Sequence, residues 1–463
     1  MHRVHDRNMK RMVIMGGGES GTGAAVLARH LGYDTFLTDM GKLAPRYKEI
    51  LDRHGIPYEE GHHTEELVLN ADEVVKSPGI PLEAPLVRRL MAQGTPVISE
   101  IEFAARHTRG TITGITGSNG KTTTTLLLHH IMEQAGKDAA LAGNVGRSMA
   151  LQVAEGDHDT YVVELSSFQL DNCYDMRAHV AILLNITPDH LDRYDHKMEN
   201  YARAKMRVTR NQRPDDCFIY WNEDPETNTY LPEREGEAVC LPFTDAPGEE
   251  AKAMGAGAYV TPDGELHVHT PQAEWSMPVA GIPLPGRHNL HNVMAAAVAA
   301  TFAGVEPEKI RSGIESFKAV EHRLEYAGTV GGARYINDSK ATNVDSTFYA
   351  LESMTTPTVL ILGGKDKGND YGHIADLVRR HVKAIVCMGV DNSKLKDYFG
   401  GFGIPVRDTH SLADALKACR EEAAEGDTVL LSPCCASFDL FKSYEDRGDR
   451  FKAMVRQMEA EEK

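Results

Sequence analysis

The residues best suited to chemistry sit together at 110–125, which reads Gly-Thr-Ile-Thr-Gly-Ile-Thr-Gly-Ser-Asn-Gly-Lys-Thr-Thr-Thr-Thr. A lysine after a glycine-rich turn, followed by a hydroxyl, supplies what a nucleoside triphosphate needs: backbone N–H groups, a point charge and a magnesium ligand. Gly117 and Gly120 let the backbone come close to an anion, with Ser118 and Asn119 between them. Lys121 is placed for the outer phosphates and Thr122 for the metal, and Thr123 continues into the first helical turn. The usual loop has four residues between its first glycine and the Gly-Lys pair. Here Ile115 holds that place, and the glycines fall at 114, 117 and 120.

Further along the same region, Tyr161-Val162-Val163 runs apolar into Glu164, a carboxylate at a strand end that suits a magnesium ligand or a water-orienting group. The run 180–185 is followed by Thr187-Pro188-Asp189-His190. By themselves Asp189 and His190 read equally well as a turn and a helix cap. Lys205 ends a helical pattern at 201–205 and by type alone is an ordinary surface lysine.

Several elements must hold these groups in place. Residues 111–116 read as a strand and 125–132 as a helix ending near Gly136. Upstream, the strand at 12–15 enters Gly16-Gly17-Gly18-Glu19-Ser20-Gly21, with a helix expected over 23–31 and a strand at 36–39 ending in Asp39. This is a Rossmann-type start, in which Asp39 would bond a sugar hydroxyl or a base. A nicotinamide dinucleotide and another nucleotide diphosphate are competing ligands for it. Strands at 71–76 and 96–99 close that unit, with a boundary near residue 100. Residues 222–280 read as a peripheral β-rich elaboration, and 293–302 as an alanine-rich helix. From about 320 the pattern restarts, with strands near 335–337, 358–362, 384–388 and 428–431 separated by helical stretches. Continuous apolar runs alternating with helices predict a parallel sheet covered on both faces. The fold class is α/β, with three domains at 1–100, 101–319 and 320–463. Ligands in such sheets gather at the strands' carboxyl ends, where Asp338, Lys340, Lys367 and Ser437 fall.

The bulk composition narrows the field. The 463 residues carry a net charge of −17 and no long basic run, which argues against nucleic acid or an anionic membrane as partner. Seven scattered cysteines without a Cys-x-x-Cys predict a reducing compartment, and no apolar run is long enough to cross a membrane. With a polar, basic start that lacks the apolar segment of an export signal, a cytoplasmic protein is expected.

Six motifs together resemble the Mur ligases of peptidoglycan synthesis: Gly117-Ser-Asn-Gly-Lys-Thr122, Glu164-Leu-Ser-Ser-Phe-Gln169, Asp189-His-Leu-Asp192, Gly286-Arg-His-Asn289, Glu321-His-Arg323 and Asn337-Asp-Ser-Lys-Ala-Thr342. The likeness runs from about 12 to 455, and the family's phosphate loop has this glycine spacing. Asn337 to Asn343 and Ser432-Pro-Cys-Cys-Ala-Ser437 are most similar to the D-glutamate-adding branch.

The resemblance implies a Rossmann-like domain for a UDP-sugar, a central P-loop ATPase and a Rossmann-like domain for the amino acid. Its reaction is an ATP-dependent ligation of D-glutamate to UDP-N-acetylmuramoyl-L-alanine through an acyl phosphate. It implies ATP at Gly117 to Thr123, with Asn289 and Asn292 at adenine and Arg323 and Asp338 at the nucleotide. Two magnesium ions are implied near Thr122, Glu164, His190 and Lys205, with Lys205 carbamylated by CO2. His190 is left between metal ligand and proton acceptor. The UDP-substrate is implied at Gly18, Glu19, Ser20, Asp39, Ser77, Asn144 and Ser166, and D-glutamate at Lys340, Thr342, Lys367, Ser437 and Tyr444. A monomer with small-molecule partners follows. Tyr444 stands where the family has Phe, and Met40-Gly41 follow Asp39 where a Thr-Arg pair is expected. A folylpolyglutamate-type ligase, an inactive nucleotide-binding scaffold and a nicotinamide dehydrogenase are the alternatives.

Overall fold

The computed structural model describes residues 9–462, apart from His190, Pro285, Ala319, Val320 and Lys367. Two of the expected site residues, His190 and Lys367, therefore lie outside the described residues. The strands in chain order are β1 (Arg11–Met15), β2 (Asp34–Asp39), β3 (Tyr58–Glu60), β4 (Glu73–Lys76), β5 (Val97–Ile98), β6 (Thr111–Thr116), β7 (Ala139–Gly143), β8 (Thr160–Glu164), β9 (Val180–Leu183), β10 (Cys217–Tyr220) and β11 (Val239–Cys240). They continue with β12 (Phe243–Thr244), β13 (Ala258–Val260), β14 (Glu265–His269), β15 (Glu274–Pro278), β16 (Glu325–Val330), β17 (Ala333–Asn337), β18 (Thr358–Leu362), β19 (Val382–Met388), β20 (Val406–Thr409) and β21 (Thr428–Leu431).

The first sheet is parallel with order β3-β2-β1-β4-β5. Its central strand buries Met12, Val13, Ile14 and Met15 completely, because helices cover both faces and an alternating pattern would put polar groups in the core. The helix after β1 spans Glu19–His30 and so begins four residues before the expected 23. Gly18 is its extended N-cap, and Glu19 in the first turn meets the positive end of the helix dipole. Gly21 and Gly23 are thus helical, and close approach is the reason for both. A Cβ on Gly21 would stand 1.8 Å from the Gly16 carbonyl oxygen, and one on Gly23 would stand 1.9 Å from Ser148 Oγ. The second glycine lets this helix pack against Met149–Glu155.

The second sheet, order β11-β10-β9-β6-β8-β7, is also parallel. Its register sets Ile115 beside Glu164 and Thr116 beside Leu183. The ends of β8 and β9 therefore flank the turn that follows β6. Strands β12 to β15 form the separate small sheet expected of 222–280. These elements, with the helix Pro307–Ser316, belong to one compact unit: residues up to 282 together with His291–Phe317.

The other unit comprises Pro283–Leu290 and the residues from 318 onward. Its sheet runs β16-β17-β21-β18-β19-β20, and here the reading of a wholly parallel sheet needs correction. β16 pairs antiparallel with β17, with a register shift between Tyr326 and Gly328. Neither β16 nor the edge strand β20 has a continuous apolar run, because one face or one edge of each meets solvent. No described helix is long and apolar enough to cross a membrane. All seven cysteines are free thiols, six of them buried.

Candidate functional site

Glycine geometry builds the turn after β6. Gly117 and Gly120 have φ of +146° and +87°, values that strain any residue with a Cβ. Gly120 is the left-handed N-cap of the helix Lys121–Gln134, whose first amides have no intrahelical acceptor. Two amides expected to face a phosphate are instead committed to Asn185: Ser118 N donates to its carbonyl and Asn119 N to its Oδ1, both at 2.9 Å. The Ser118 side chain is also engaged, donating to the Thr187 carbonyl at 2.8 Å and lying 3.1 Å from the Tyr201 hydroxyl. Asn185 and Tyr201 hold the loop's shape, and residue type did not single them out. The one signal for Asn185 was its place as the polar stop after an apolar strand. The anion-facing groups that remain are the helix N-terminus, Lys121 and the Thr122 hydroxyl, which makes no hydrogen bond among the described residues.

Asn292, expected at adenine, lies against this loop. Its Oδ1 accepts from Thr124 Oγ1 at 3.2 Å and would meet a Cβ on Gly120 at 2.2 Å. Asn289 is buried in the other compact unit.

Two lysines converge on one carbonyl. Lys121 Nζ donates to Gly117 O at 2.7 Å and to Ser118 O at 2.8 Å, and Lys205 Nζ donates to the same Gly117 O at 2.7 Å. Lys205 is 1 % exposed, with its Nζ 4.5 Å from the centre of the Tyr201 ring. Burial, and then the charge of Lys121, push its pKa well below the usual lysine range, against the pull of Asp189 and Asp171. The surface lysine expected from type alone is therefore a buried amine that readily exposes a lone pair.

Glu164 is buried beside the loop. Asn144 Nδ2 donates to its Oε1 at 3.1 Å, and Asn144 N to its carbonyl at 2.9 Å, while its Oε2 is buried without a hydrogen-bond partner. An unsatisfied buried carboxylate oxygen next to a phosphate loop fits a hard cation. Among the described residues no group of three His, Cys, Asp or Glu could hold a metal unaided. Phosphate oxygens would complete the shell, as is usual for magnesium. Ser166 is the N-cap of Ser167–Leu170, in a capping box with Gln169.

Of the residues expected at the UDP moiety, Asp39 and Ser77 meet at the carboxyl ends of the first sheet. A cavity of about 650 Å³ there is lined by Gly16, Asp39, Met40, His62, His63 and Ser77, among others. Gly16 has φ of +102°, and a Cβ on it would meet Ser77 Cβ at 2.6 Å. Asp39 accepts from Gly17 N and Gly41 N, both at 2.6 Å, so its carboxylate first of all shapes the loops that carry it. Gly18 faces open space, and Glu19 accepts from Ser148 N at 3.3 Å. Ser20 lies in the first turn of the helix.

In the other unit, Asp338 is buried at the end of β17. Burial raises its pKa to about 6, opposed chiefly by Arg323 and a 2.8 Å hydrogen bond from Ser432 Oγ. Lys340 Nζ lies 5.5 Å from the Tyr444 ring centre, and Ser437 is buried. Thr342 N donates to Lys340 O at 2.9 Å, which ties that pair into one turn. Arg447, passed over in the sequence, organises these loops at 1 % exposure: Nε reaches Ser339 Oγ at 2.9 Å, Nη2 reaches Ser339 O at 2.8 Å, and both terminal nitrogens reach Cys435 O at 3.3 Å. A buried arginine was readable only as one more charge in an acidic, amphipathic helix.

Comparison with known proteins gives consistent matches. The family described as Mur ligase MurD-like, N-terminal domain, matches residues 10–99; Mur ligase middle domain matches 115–300; and Mur ligase, glutamate ligase domain, matches 322–435. A UDP-N-acetylmuramoylalanine–D-glutamate ligase of Bacteroides thetaiotaomicron is 57 % identical over 451 residues, covering 97 % of this chain and 100 % of its own. The protein of the same name from Porphyromonas gingivalis is 53 % identical over 450 residues, covering 97 % and 99 %. The solved pseudomurein peptide ligase type C of Methanothermus fervidus shares the fold, with a TM-score of 0.60 at 17 % identity over 96 % of this chain and 99 % of its own.

Proposed function

The chain belongs to the Mur ligase family, and from that premise we propose that it joins D-glutamate to UDP-N-acetylmuramoyl-L-alanine using ATP, in peptidoglycan precursor synthesis. The observation that carries the reading is the convergence of the phosphate loop, the half-satisfied carboxylate of Glu164 and the buried amine of Lys205 at one end of one sheet. In this reading residues 1–100 take the UDP moiety, 101–319 ATP and 320–463 D-glutamate.

A carboxylate is a poor electrophile, so amide formation needs activation. The alanyl carboxylate attacks the γ-phosphorus of ATP, the bond to ADP breaks, and an acyl phosphate forms. The neutral amine of D-glutamate then attacks the acyl carbon and expels phosphate. Both steps concentrate negative charge, and fixed cations and amides aimed at that charge stabilise the transition state more than the ground state. Lys121 and the amides of Gly120, Lys121, Thr122 and Thr123 hold the phosphates, with Gly117, Ser118 and Asn119 shaping the loop. Asn289 and Asn292 take the adenine end, and Arg323 and Asp338 complete the nucleotide site. Thr122, Glu164, His190 and a modified Lys205 would hold two Mg2+ ions, which would supply neutralisation of the charge on the transferring group.

The depressed basicity of Lys205 supports carbamylation. Its neutral nitrogen adds to CO2 and loses a proton, which turns a buried cation into a carboxylate-like ligand. His190 is read as a ligand or as acceptor of the amine proton. Gly18, Glu19, Ser20, Asp39, Ser77, Asn144 and Ser166 are assigned to the UDP-substrate, and Lys340, Thr342, Lys367, Ser437 and Tyr444 to D-glutamate. The protein is proposed to act as a cytoplasmic monomer on small molecules, without nucleic acid or membrane.

The test is phosphate release from ATP with UDP-N-acetylmuramoyl-L-alanine and single amino acids. Release that requires D-glutamate supports the proposal. Release with meso-diaminopimelate or L-lysine instead overturns it.

A further inference from the structure

We propose that His63 is a specificity-determining residue for the nucleoside end of the substrate: its Nε2 is an unprotonated acceptor in the cavity at the carboxyl ends of β1, β2 and β4, and it takes a hydrogen from the uridine moiety. The inference rests on the reading of that cavity as the uridine diphosphate site. The cavity lies where the order β3-β2-β1-β4-β5 reverses direction, on either side of β1, which is where open parallel sheets bind ligands.

Thr38 fixes the tautomer. Its side chain is buried and carries a single hydroxyl hydrogen. Thr38 Oγ1 lies 2.7 Å from Glu59 Oε1 and 2.6 Å from His63 Nδ1. Glu59 is held ionised: burial opposes this, but hydrogen bonds from Thr64 and Thr38 outweigh it and keep its pKa below the ordinary range. An ionised carboxylate only accepts and lies nearer than the other pure acceptor, the His62 carbonyl at 3.4 Å, so the Thr38 hydrogen goes to Glu59. The 2.6 Å contact to Nδ1 then needs a hydrogen from the imidazole, which places the ring proton on Nδ1 and leaves a lone pair on Nε2. The ring lines the cavity, and Nε2 makes no hydrogen bond among the described residues. Burial, the largest influence on this imidazole, favours the neutral form against the pull of Glu59 and Asp39, with His62 adding to burial.

An acceptor at this point discriminates. Uracil presents an imide N3–H and the ribose presents hydroxyls, whereas the N3 of cytosine carries no hydrogen. Elsewhere in the lining Asp39 is bonded to Gly17 N and Gly41 N, and the Met40 side chain supplies no polar group. His63 is therefore placed to supply polar selectivity.

The experiment measures steady-state kinetics of wild type, His63→Phe and His63→Gln, varying the UDP-substrate, ATP and D-glutamate in turn. The loss of one hydrogen bond predicts a KM for the UDP-substrate raised about tenfold in His63→Phe. The kcat and the other two KM values should stay near wild type, and His63→Gln, which keeps an acceptor, should recover most of the loss. In the wild type that KM should also rise in acid, where the imidazole protonates at a pH below the ordinary histidine range because burial disfavours its charge, and this rise should be absent in His63→Gln. Substrates carrying 3-methyluracil or 2′-deoxyribose separate imide from ribose: the penalty for the missing donor disappears in His63→Phe. An unchanged KM in His63→Phe, no recovery in His63→Gln, or both analogue penalties persisting in His63→Phe overturns the assignment while leaving the ligase reading intact. A wild type that forms no product removes the reading beneath both.

Discussion

Glu100 offers a perturbation whose size can be worked from the structure. Its carboxylate is 3 % exposed and accepts from Ser148 Oγ at 2.6 Å and Ala150 N at 2.7 Å, at the start of the helix Met149–Glu155. Burial raises its pKa from 4.5 to about 7, although those hydrogen bonds pull the other way. The folded state thus binds a proton that the unfolded chain has already released. The stability from this group is full below pH 4.5 and is lost as pH rises through about 7. In Glu100→Gln the site no longer titrates. Relative to wild type, the variant should therefore gain about 2.5 kcal/mol of unfolding free energy between about pH 5 and pH 8. The exchange of one carboxyl oxygen for an NH2 group costs about 1 kcal/mol of hydrogen bonding, but at every pH, so it moves the offset and leaves the slope unchanged. Urea unfolding followed by tryptophan fluorescence suits the measurement, because both tryptophans, Trp221 and Trp275, lie in the same compact unit as Glu100. A stability difference that does not change between those pH values would refute the reasoning, since it would mean that the buried carboxylate titrates as it does in the unfolded chain.

Three other outcomes are expected. Protein incubated with 13C-bicarbonate should show one carbamate carbon resonance that is absent in Lys205→Met, and activity should fall when CO2 is stripped from the buffer. Lys76, 2 % exposed, donates to Ser77 O at 3.1 Å and Ile80 O at 2.7 Å in the cavity-lining turn; Lys76→Met should cost about 1–3 kcal/mol and raise KM for the UDP-substrate with little change in kcat. Because Asp338 ionises near pH 6, kcat/KM for ATP should fall as pH drops through that value, and Arg323→Met should move the midpoint upward, measured as initial rate against pH.

Much of this protein was determined by its linear order. Gly117, Gly120, Lys121 and Thr122 are adjacent in the chain, so the anion site they form is local and readable wherever a strand enters and a helix leaves. The apolar runs of β1, β9, β18 and β21 are legible for the same reason, because a strand buried on both faces has no polar alternation to disguise it. What only the tertiary structure decided depends on burial and on partners distant in sequence. Lys205 and Arg447 look like surface charges until the fold removes water from around them; the first then becomes a weak base, and the second a brace for two loops. Gly23 is explained by Ser148 and the tautomer of His63 by Glu59 acting through Thr38, and no local pattern encodes either contact. Local conformation follows from neighbouring residues, but pKa, tautomer and unsatisfied valence follow from desolvation, which exists only once the chain has closed over the group.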